Sequence, residues 1–211
     1  MQEADKPLTY LALGDSYTIG EGVAPRERWP MQLAAALREG GIAVEVPRVI
    51  ATTGWTTDEL STAMDAAEPL GAWDFVSLLI GVNNQYRGRD AGEYEQQFDA
   101  LLRRAVSLAG DRAERVLVLS IPDWGVTPFA RTDGADPARV ERELDDYNER
   151  ARLRCEATGV AFVDITPVSR ARGAEPLMLV ADGLHPSGAM YALWNAQALP
   201  VARRLLSGAR A

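Results

Sequence analysis

Short apolar runs alternate along this chain with longer segments in which apolar residues recur every three or four positions. A run that is apolar at nearly every position suits a strand buried on both faces of a parallel sheet. The longer spacing is typical of a helix with one buried face. Five runs predict strands: Leu8–Leu13, Ile42–Ile50, Phe75–Ile80, Val116–Ile121 and Val160–Asp164.

The helical segments lie between and after these runs. Thr56 and Glu59 have the spacing of a capping box, which predicts a helix through about Ala67. Cys155 belongs to a stripe of apolar residues at helical spacing, so we interpret it as a core residue. The other helical patterns are Trp29, Leu33 and Leu37; Val140, Leu144, Tyr147 and Ala151, which complete the stripe of Cys155; and a last helix over Ser187–Leu206.

Alternating strands and helices require right-handed crossovers, and so predict a doubly wound, three-layer α/β/α fold around a five-stranded parallel sheet. The chain of 211 residues contains no repeat and no linker, which predicts a single domain over residues 1–211. In such a sheet, ligands bind beyond the carboxyl ends of the strands. The loops at those ends are Gly14–Arg26, Ala51–Trp55, Gly81–Asp90, Pro122–Asp136 and Ile165–Pro186.

Composition excludes several classes of function. The net charge of −8 would repel a nucleic acid. No run of 18 apolar residues is present, so no membrane span is expected. The first 16 residues lack the pattern of a signal peptide, and a lone cysteine cannot form an internal disulfide; together these features favour a cytoplasmic protein. One histidine and one cysteine cannot build a usual zinc site, and no cofactor is expected.

The single histidine, His185, can act as a general base only if the chain also supplies a nucleophile. Ser16 is a candidate, because it follows the first strand between glycines that allow a sharp turn. The alternative is a serine that caps a helix in a glycine-rich turn. The loop matches neither the G-x-S-x-G elbow nor a phosphate-binding loop, which would need a lysine.

Three other residues lie in the predicted loops. Gly54 could present a backbone N–H to a ligand or could serve only the turn. Asn83 could donate to a developing oxyanion or could satisfy its own loop. Asp182 precedes His185 by three residues and could orient its ring, although Asp-Gly is also a common turn pair. Because the fold brings all of these residues to one rim, the functional interpretation is favoured.

Four sequence blocks resemble those of the SGNH hydrolases, also called GDSL esterases and lipases: Gly14-Asp15-Ser16, Gly54, Gly81-x-Asn83 and Asp182-x-x-His185. The resemblance implies the SGNH hydrolase fold, which is flavodoxin-like, and a serine esterase that forms an acyl-enzyme. Ser16 would then be the nucleophile, His185 the base and Asp182 its orienting partner. The oxyanion hole would comprise Gly54 N–H, the Asn83 side chain and the N–H of Ser16.

The chain departs from the family pattern at two positions. Asn84 stands where the third block usually has aspartate, which puts the geometry of that loop in question. Tyr17 stands in place of the leucine of the GDSL name, which is a commonly tolerated variant.

The expected substrate is a small-molecule carboxylic ester: a short-to-medium acyl, aryl or acetylated-sugar ester. The loop Pro122–Asp136 is long for a compact domain, and long loops often form binding walls. Trp124 and Phe129 of this loop are therefore predicted to bind substrate, and Trp55, which follows Gly54, is predicted to bind substrate as well. Arg87 and Arg89 could meet an acidic group or could be solvated surface residues. The alternative function is a non-catalytic, flavodoxin-like binding domain.

Overall fold

The computed structural model describes residues 6–207, within which five parallel strands form one sheet. Their order is β2-β1-β3-β4-β5, where the strands are β1 (Tyr10–Gly14), β2 (Arg48–Ala51), β3 (Phe75–Leu79), β4 (Val116–Leu119) and β5 (Ala161–Val163). This order and direction confirm the predicted fold class. The predicted domain also included residues 1–5 and 208–211, which lie outside the described residues, and the single domain stays a prediction.

Helices on both faces of the sheet complete the three layers. One layer pairs α2 with α9, and in the other α5 packs against both α3 and α7. In the described part of the chain the helices are α1 (Ser16–Ile19), α2 (Trp29–Glu39), α3 (Thr57–Ala66), α4 (Val82–Tyr86), α5 (Ala91–Leu108), α6 (Pro128–Asp133), α7 (Pro137–Thr158), α8 (Thr166–Arg172) and α9 (Gly188–Ser207).

The core lies between the sheet and these two layers. Every residue of β1, β3 and β4 is buried, as expected for strands covered on both faces. The predicted stripe of α7 is buried as well, and burial raises the pKa of the Cys155 thiol to about 12. Cys155 is thus a protonated core residue, in agreement with its interpretation from the sequence.

The second strand is shorter than predicted. The run Ile42–Ile50 yields a strand only from Arg48. Pro47 has no N–H for the sheet ladder, and Val44 before it makes only an isolated bridge with Leu8. The prediction of a strand over the whole run was therefore wrong.

Four of the predicted loops contain short helices, namely α1, α4, α6 and α8. The long helix α5 was not predicted from the sequence. Its buried residues nevertheless have helical spacing: Tyr94, Phe98, Leu101, Leu102 and Ala105. The helices predicted from sequence correspond to α2, α3, α7 and α9. The pattern therefore identified the helices that cover the sheet better than those that follow its carboxyl edge.

The direction of winding changes at β1, which has β2 on one side and β3 on the other. Connections from this point run in opposite directions, so the loops after β1, β2 and β3 surround a crevice at their carboxyl ends. Ser16, Gly54 and Asn83 lie in these three loops. The topology therefore places them at one edge of the sheet.

Candidate active site

A cavity of about 170 Å³ opens at this edge of the sheet. Among the predicted site residues, Ser16, Gly54, Asn83 and His185 all line it, together with Trp124 and Phe129. The remaining lining residues are Tyr17, Thr53, Val82, Tyr86 and Leu184. Residues that lie as far as 169 positions apart along the chain thus meet at a single cavity.

Ser16 is the first residue of α1, directly beyond a tight turn. Gly14 makes this turn possible, because a Cβ there would lie 2.2 Å from Thr18 Oγ1 and 2.4 Å from the Leu79 carbonyl oxygen. The capping residue is Asp15, whose carboxylate accepts the N–H of Tyr17 at 3.0 Å. The helix is capped without the Ser16 hydroxyl, so the capping role considered for Ser16 belongs to Asp15.

His185 and Asp182 form a hydrogen-bonded pair. His185 Nδ1 lies 2.6 Å from Asp182 Oδ2, while Asp182 Oδ1 accepts the N–H of Leu184 at 2.8 Å and that of His185 at 2.9 Å. Burial raises the pKa of Asp182, but these hydrogen bonds outweigh it and hold the pKa below its ordinary value. An ionised carboxylate can only accept, so Nδ1 carries the proton and Nε2 is the free basic nitrogen.

Gly54 and Asn83 belong to neighbouring loops that are joined by hydrogen bonds. Gly54 has a φ of +88°, a conformation that favours glycine. Asn83 Nδ2 donates to the carbonyl of Trp55 at 2.9 Å, and Arg87 donates to the carbonyl of Gly54 at 2.6 Å. The amide of Asn83 has a second N–H, which remains for a ligand. Arg87 in turn pairs with Glu59 at 3.3 Å.

Asn84 is fully buried and does not line the cavity. Its Oδ1 accepts the N–H of Thr57 at 3.0 Å, and its Nδ2 donates to Thr57 Oγ1 at 2.7 Å. The hydroxyl of Thr57 donates onward to Gln97. Asn84 thereby ties α4 to the start of α3, which follows the Gly54 loop, and the departure from the family pattern concerns this link.

Three aromatic rings form one wall of the cavity. The ring centroids of Tyr86 and Trp124 are 5.3 Å apart, and those of Trp124 and Phe129 are 6.2 Å apart. Trp55, by contrast, is absent from the lining among the described residues, and its side chain packs against the core. Its ring therefore does not support the substrate-binding prediction, although its carbonyl holds Asn83 in place.

Tyr86 was not predicted, although a sequence signal was present. It follows Asn83 by three residues on α4, and residues at this spacing share one face of a helix. The basic residues after Asn83 also have clear partners: Arg89 pairs with Asp58 of α3 at 2.6 Å, and Arg87 with its neighbours as described. Both ion pairs connect the start of α3 to the residues that follow α4.

Within the described residues 6–207, no group of three or more His, Cys, Asp or Glu side chains could hold a metal ion. Over residues 6–207, every helix is too short or too polar to cross a bilayer.

The sequence matches the family model of the GDSL-like lipases/acylhydrolases over residues 12–193. No curated protein matches it. The structure is similar to that of TesA, with a TM-score of 0.74, 19% identity and coverage of 94% of this chain and 99% of the other.

Two other solved structures show the same fold. The psychrotrophic esterase EstA from Pseudoalteromonas sp., inhibited by monoethylphosphonate, has a TM-score of 0.71 at 17% identity, covering 94% of this chain and 98% of the other. A lipase/acylhydrolase from Enterococcus faecalis has a TM-score of 0.69 at 19% identity, covering 97% and 100%. At these identities the likeness concerns the fold alone.

Proposed function

Since the chain belongs to the GDSL-like lipase/acylhydrolase family, and is thus a hydrolase, we propose that it cleaves carboxylic esters through an acyl-enzyme on Ser16. The observation that carries the proposal is the pairing of His185 with Asp182 at 2.6 Å, on the wall of the cavity that Ser16 also lines. Nucleophile, base and orienting carboxylate are the three parts that such chemistry needs.

In the proposed mechanism, Ser16 Oγ attacks the ester carbonyl while His185 Nε2 accepts its proton. The carboxylate of Asp182 stabilises the imidazolium that results. As the tetrahedral intermediate collapses, the C–O bond to the alcohol breaks and His185 returns the proton to the leaving oxygen. Water then attacks the acyl-enzyme by the same steps, which releases the acid and restores the Ser16 hydroxyl.

Three donors would stabilise the negative charge on the carbonyl oxygen. They are the N–H groups of Ser16 and Gly54 and the free N–H of the Asn83 amide. Donors fixed in advance are effective because they do not have to reorganise as charge develops. The hydrogen bonds from Asn83 to Trp55 and from Arg87 to Gly54 support this proposal, since they fix the two loops.

The test is covalent labelling of Ser16 with an organophosphorus ester, followed by mass spectrometry. EstA supports the choice of probe, because its structure is described as inhibited by monoethylphosphonate. We expect one adduct on Ser16, together with loss of turnover of p-nitrophenyl esters. A non-catalytic binding domain would give no adduct, because its serine would not be activated.

The matched variant is Ser16→Ala, which should abolish both labelling and turnover while leaving the thermal midpoint nearly unchanged. More than a trace of turnover by the purified variant would exclude Ser16 as the nucleophile.

A further inference from the structure

The aromatic wall of the cavity is fixed in place on its inner side. The ring of Trp124 is buried, and its Nε1 donates to Gln85 Oε1 at 2.8 Å. Gln85 is itself held by Glu143 at 2.7 Å. Turning the indole away would leave a buried acceptor without a donor, which is costly. The indole of Trp124 is therefore held in place at the inner end of the wall.

The outer side of the wall is held to the catalytic loop and to α6. The N–H of Phe129 donates to the carbonyl of Gly183 at 3.1 Å, two residues before His185. The hydroxyl of Tyr86 donates to Asp133 at 3.1 Å. Tyr86 is 48% exposed, in contrast to Trp124 at 4%. Tyr86 thus stands at the mouth, and Trp124 at the inner end.

The volume of the cavity limits what can enter it. A cavity of about 150 Å³ lined by apolar side chains holds one benzene molecule, and this one measures about 170 Å³. It therefore accommodates a group of about six carbon atoms. A fatty acyl chain of twelve or more carbons would exceed this volume unless the Tyr86 ring moved, which would break its hydrogen bond to Asp133.

The lining also excludes charged groups. Apart from His185, whose chemistry is already assigned, the lining contains no acidic or basic side chain. Arg87, the arginine next to Gly54, already donates to Gly54 and pairs with Glu59. A carboxylate in the pocket would lose its hydration without gaining a cation, and an unpaired buried charge is strongly unfavourable.

Two arguments favour the acyl group, rather than the alcohol, as the occupant of the pocket. Tyr86 and Asn83 lie on one face of α4, so the aromatic wall continues from the oxyanion side of the site. The leaving alcohol, in contrast, must lie next to His185, which protonates it, and must depart before water attacks. Only the acyl group stays attached to Ser16 through both halves of the reaction.

We propose that Tyr86, Trp124 and Phe129 form an acyl pocket that restricts this hydrolase to uncharged acyl groups of up to about six carbons, with Tyr86 setting the limit. This inference rests on the proposed ester hydrolysis at Ser16. It selects short alkanoyl and benzoyl-sized esters from the broader substrate classes and disfavours long-chain lipids.

The test uses p-nitrophenyl esters with acyl chains of two to twelve carbons. For the natural chain, kcat/KM should rise about fourfold per methylene up to about six carbons and then fall. Tyr86→Ala should move the maximum to longer chains and raise kcat/KM for the ten-carbon ester at least ~10-fold. The control is Leu153→Ala: Leu153 has the same 48% exposure, lies outside the cavity lining, and its loss should leave the profile unchanged.

Two further series of ester substrates test whether the pocket binds the acyl group rather than the alcohol, and whether it excludes a charged acyl group. Butyrate esters of alcohols of increasing length should show a weak length dependence that Tyr86→Ala does not alter. The monoester of a six-carbon diacid should react at least ~100-fold more slowly than the hexanoate.

The inference is overturned if the natural chain prefers acyl chains of ten or more carbons, or if Tyr86→Ala changes the alcohol series instead. Equal rates for the diacid monoester and the hexanoate would also overturn it. In each of these cases labelling of Ser16 persists, and the proposed function stands. Absence of both labelling and turnover would instead reject the function, and the acyl pocket with it.

Discussion

At the residue scale, the two nitrogens of His185 have different surroundings, because Nδ1 is hydrogen-bonded to Asp182. Asp182→Asn replaces the acceptor at Nδ1 with an amide that can donate, so the ring proton would move to Nε2. The base would then be blocked, and kcat should fall by about 10⁴-fold. Steady-state kinetics on the folded variant measure the loss. A decrease below about tenfold would show that Asp182 does not set the tautomer.

Asn83→Ala tests the oxyanion site. Loss of one donor costs about 2.7–4 kcal/mol in the transition state, so kcat should fall roughly 10²- to 10³-fold. KM should change little, because the donor binds the developing oxyanion better than the ground-state carbonyl. Labelling of Ser16 by the organophosphorus ester should slow as well. A rise in KM at constant kcat would instead mean that Asn83 binds only the substrate.

At the element scale, Asn84 connects α4 to α3 from a buried position. Asn84→Ala would leave the buried N–H of Thr57 without its acceptor, at a cost of about 1–3 kcal/mol in the free energy of unfolding. The thermal midpoint should therefore drop by several degrees, while kcat falls far less than in Asn83→Ala.

The control for this prediction is Asn84→Asp, which keeps an acceptor for Thr57 and restores the residue usual in the family. It should recover only part of the lost stability, because it loses the amide donor to Thr57 Oγ1 and buries a carboxylate. If Asn84→Ala lowered kcat more than Asn83→Ala without loss of stability, the third sequence block would be out of register by one residue.

Sequence patterns identified elements whose own residues carry a continuous or periodic apolar pattern. Strands β1 and β3 are apolar at nearly every position, and the carboxyl ends of parallel strands share an edge, so Ser16 and Asn83 could be placed together in advance. The helical spacing of Tyr86 from Asn83 was a signal for one face of α4, but the aromatic wall itself could not be predicted, because it depends on tertiary contacts such as that of Phe129 with Gly183.

The structural link that Asn84 makes could not be predicted from the sequence either. Its partner, Thr57, lies 27 residues earlier in the chain, and local patterns carry no information about such a pair. The short helices at the carboxyl edge were missed for a related reason: an α-helix of four to six residues has too few turns to show a periodic pattern.

At the scale of the whole molecule, Asp15 couples the active site to stability. It is fully buried beside Ser16, and its Oδ2 makes no hydrogen bond within residues 6–207. Burial raises the pKa of Asp15 to about 7, although the backbone N–H of Tyr17 partly opposes this. The carboxyl group beside Ser16 therefore changes its charge near neutral pH.

The sign of the effect on stability follows from the raised pKa. Between about pH 4 and pH 7 the folded protein keeps a proton on Asp15 that the unfolded chain has released, so this group makes stability fall as pH rises through that window. In Asp15→Asn the side chain cannot ionise, so this decline in stability with rising pH should disappear. It should be more stable than the natural chain by up to about 4 kcal/mol at pH 8 and nearly equal to it at pH 4.

Urea unfolding at several pH values measures this difference, and Ser16→Ala, which keeps the carboxylate, should retain the natural slope. Asp15→Asn also shows whether Asp15 takes part in catalysis. If His185 is the base, the pH dependence of kcat/KM in Asp15→Asn should match that of the natural chain, because Asp15 transfers no proton. Loss of that pH dependence together with the loss of the stability slope would assign the catalytic ionisation to Asp15 and remove His185 from its proposed role.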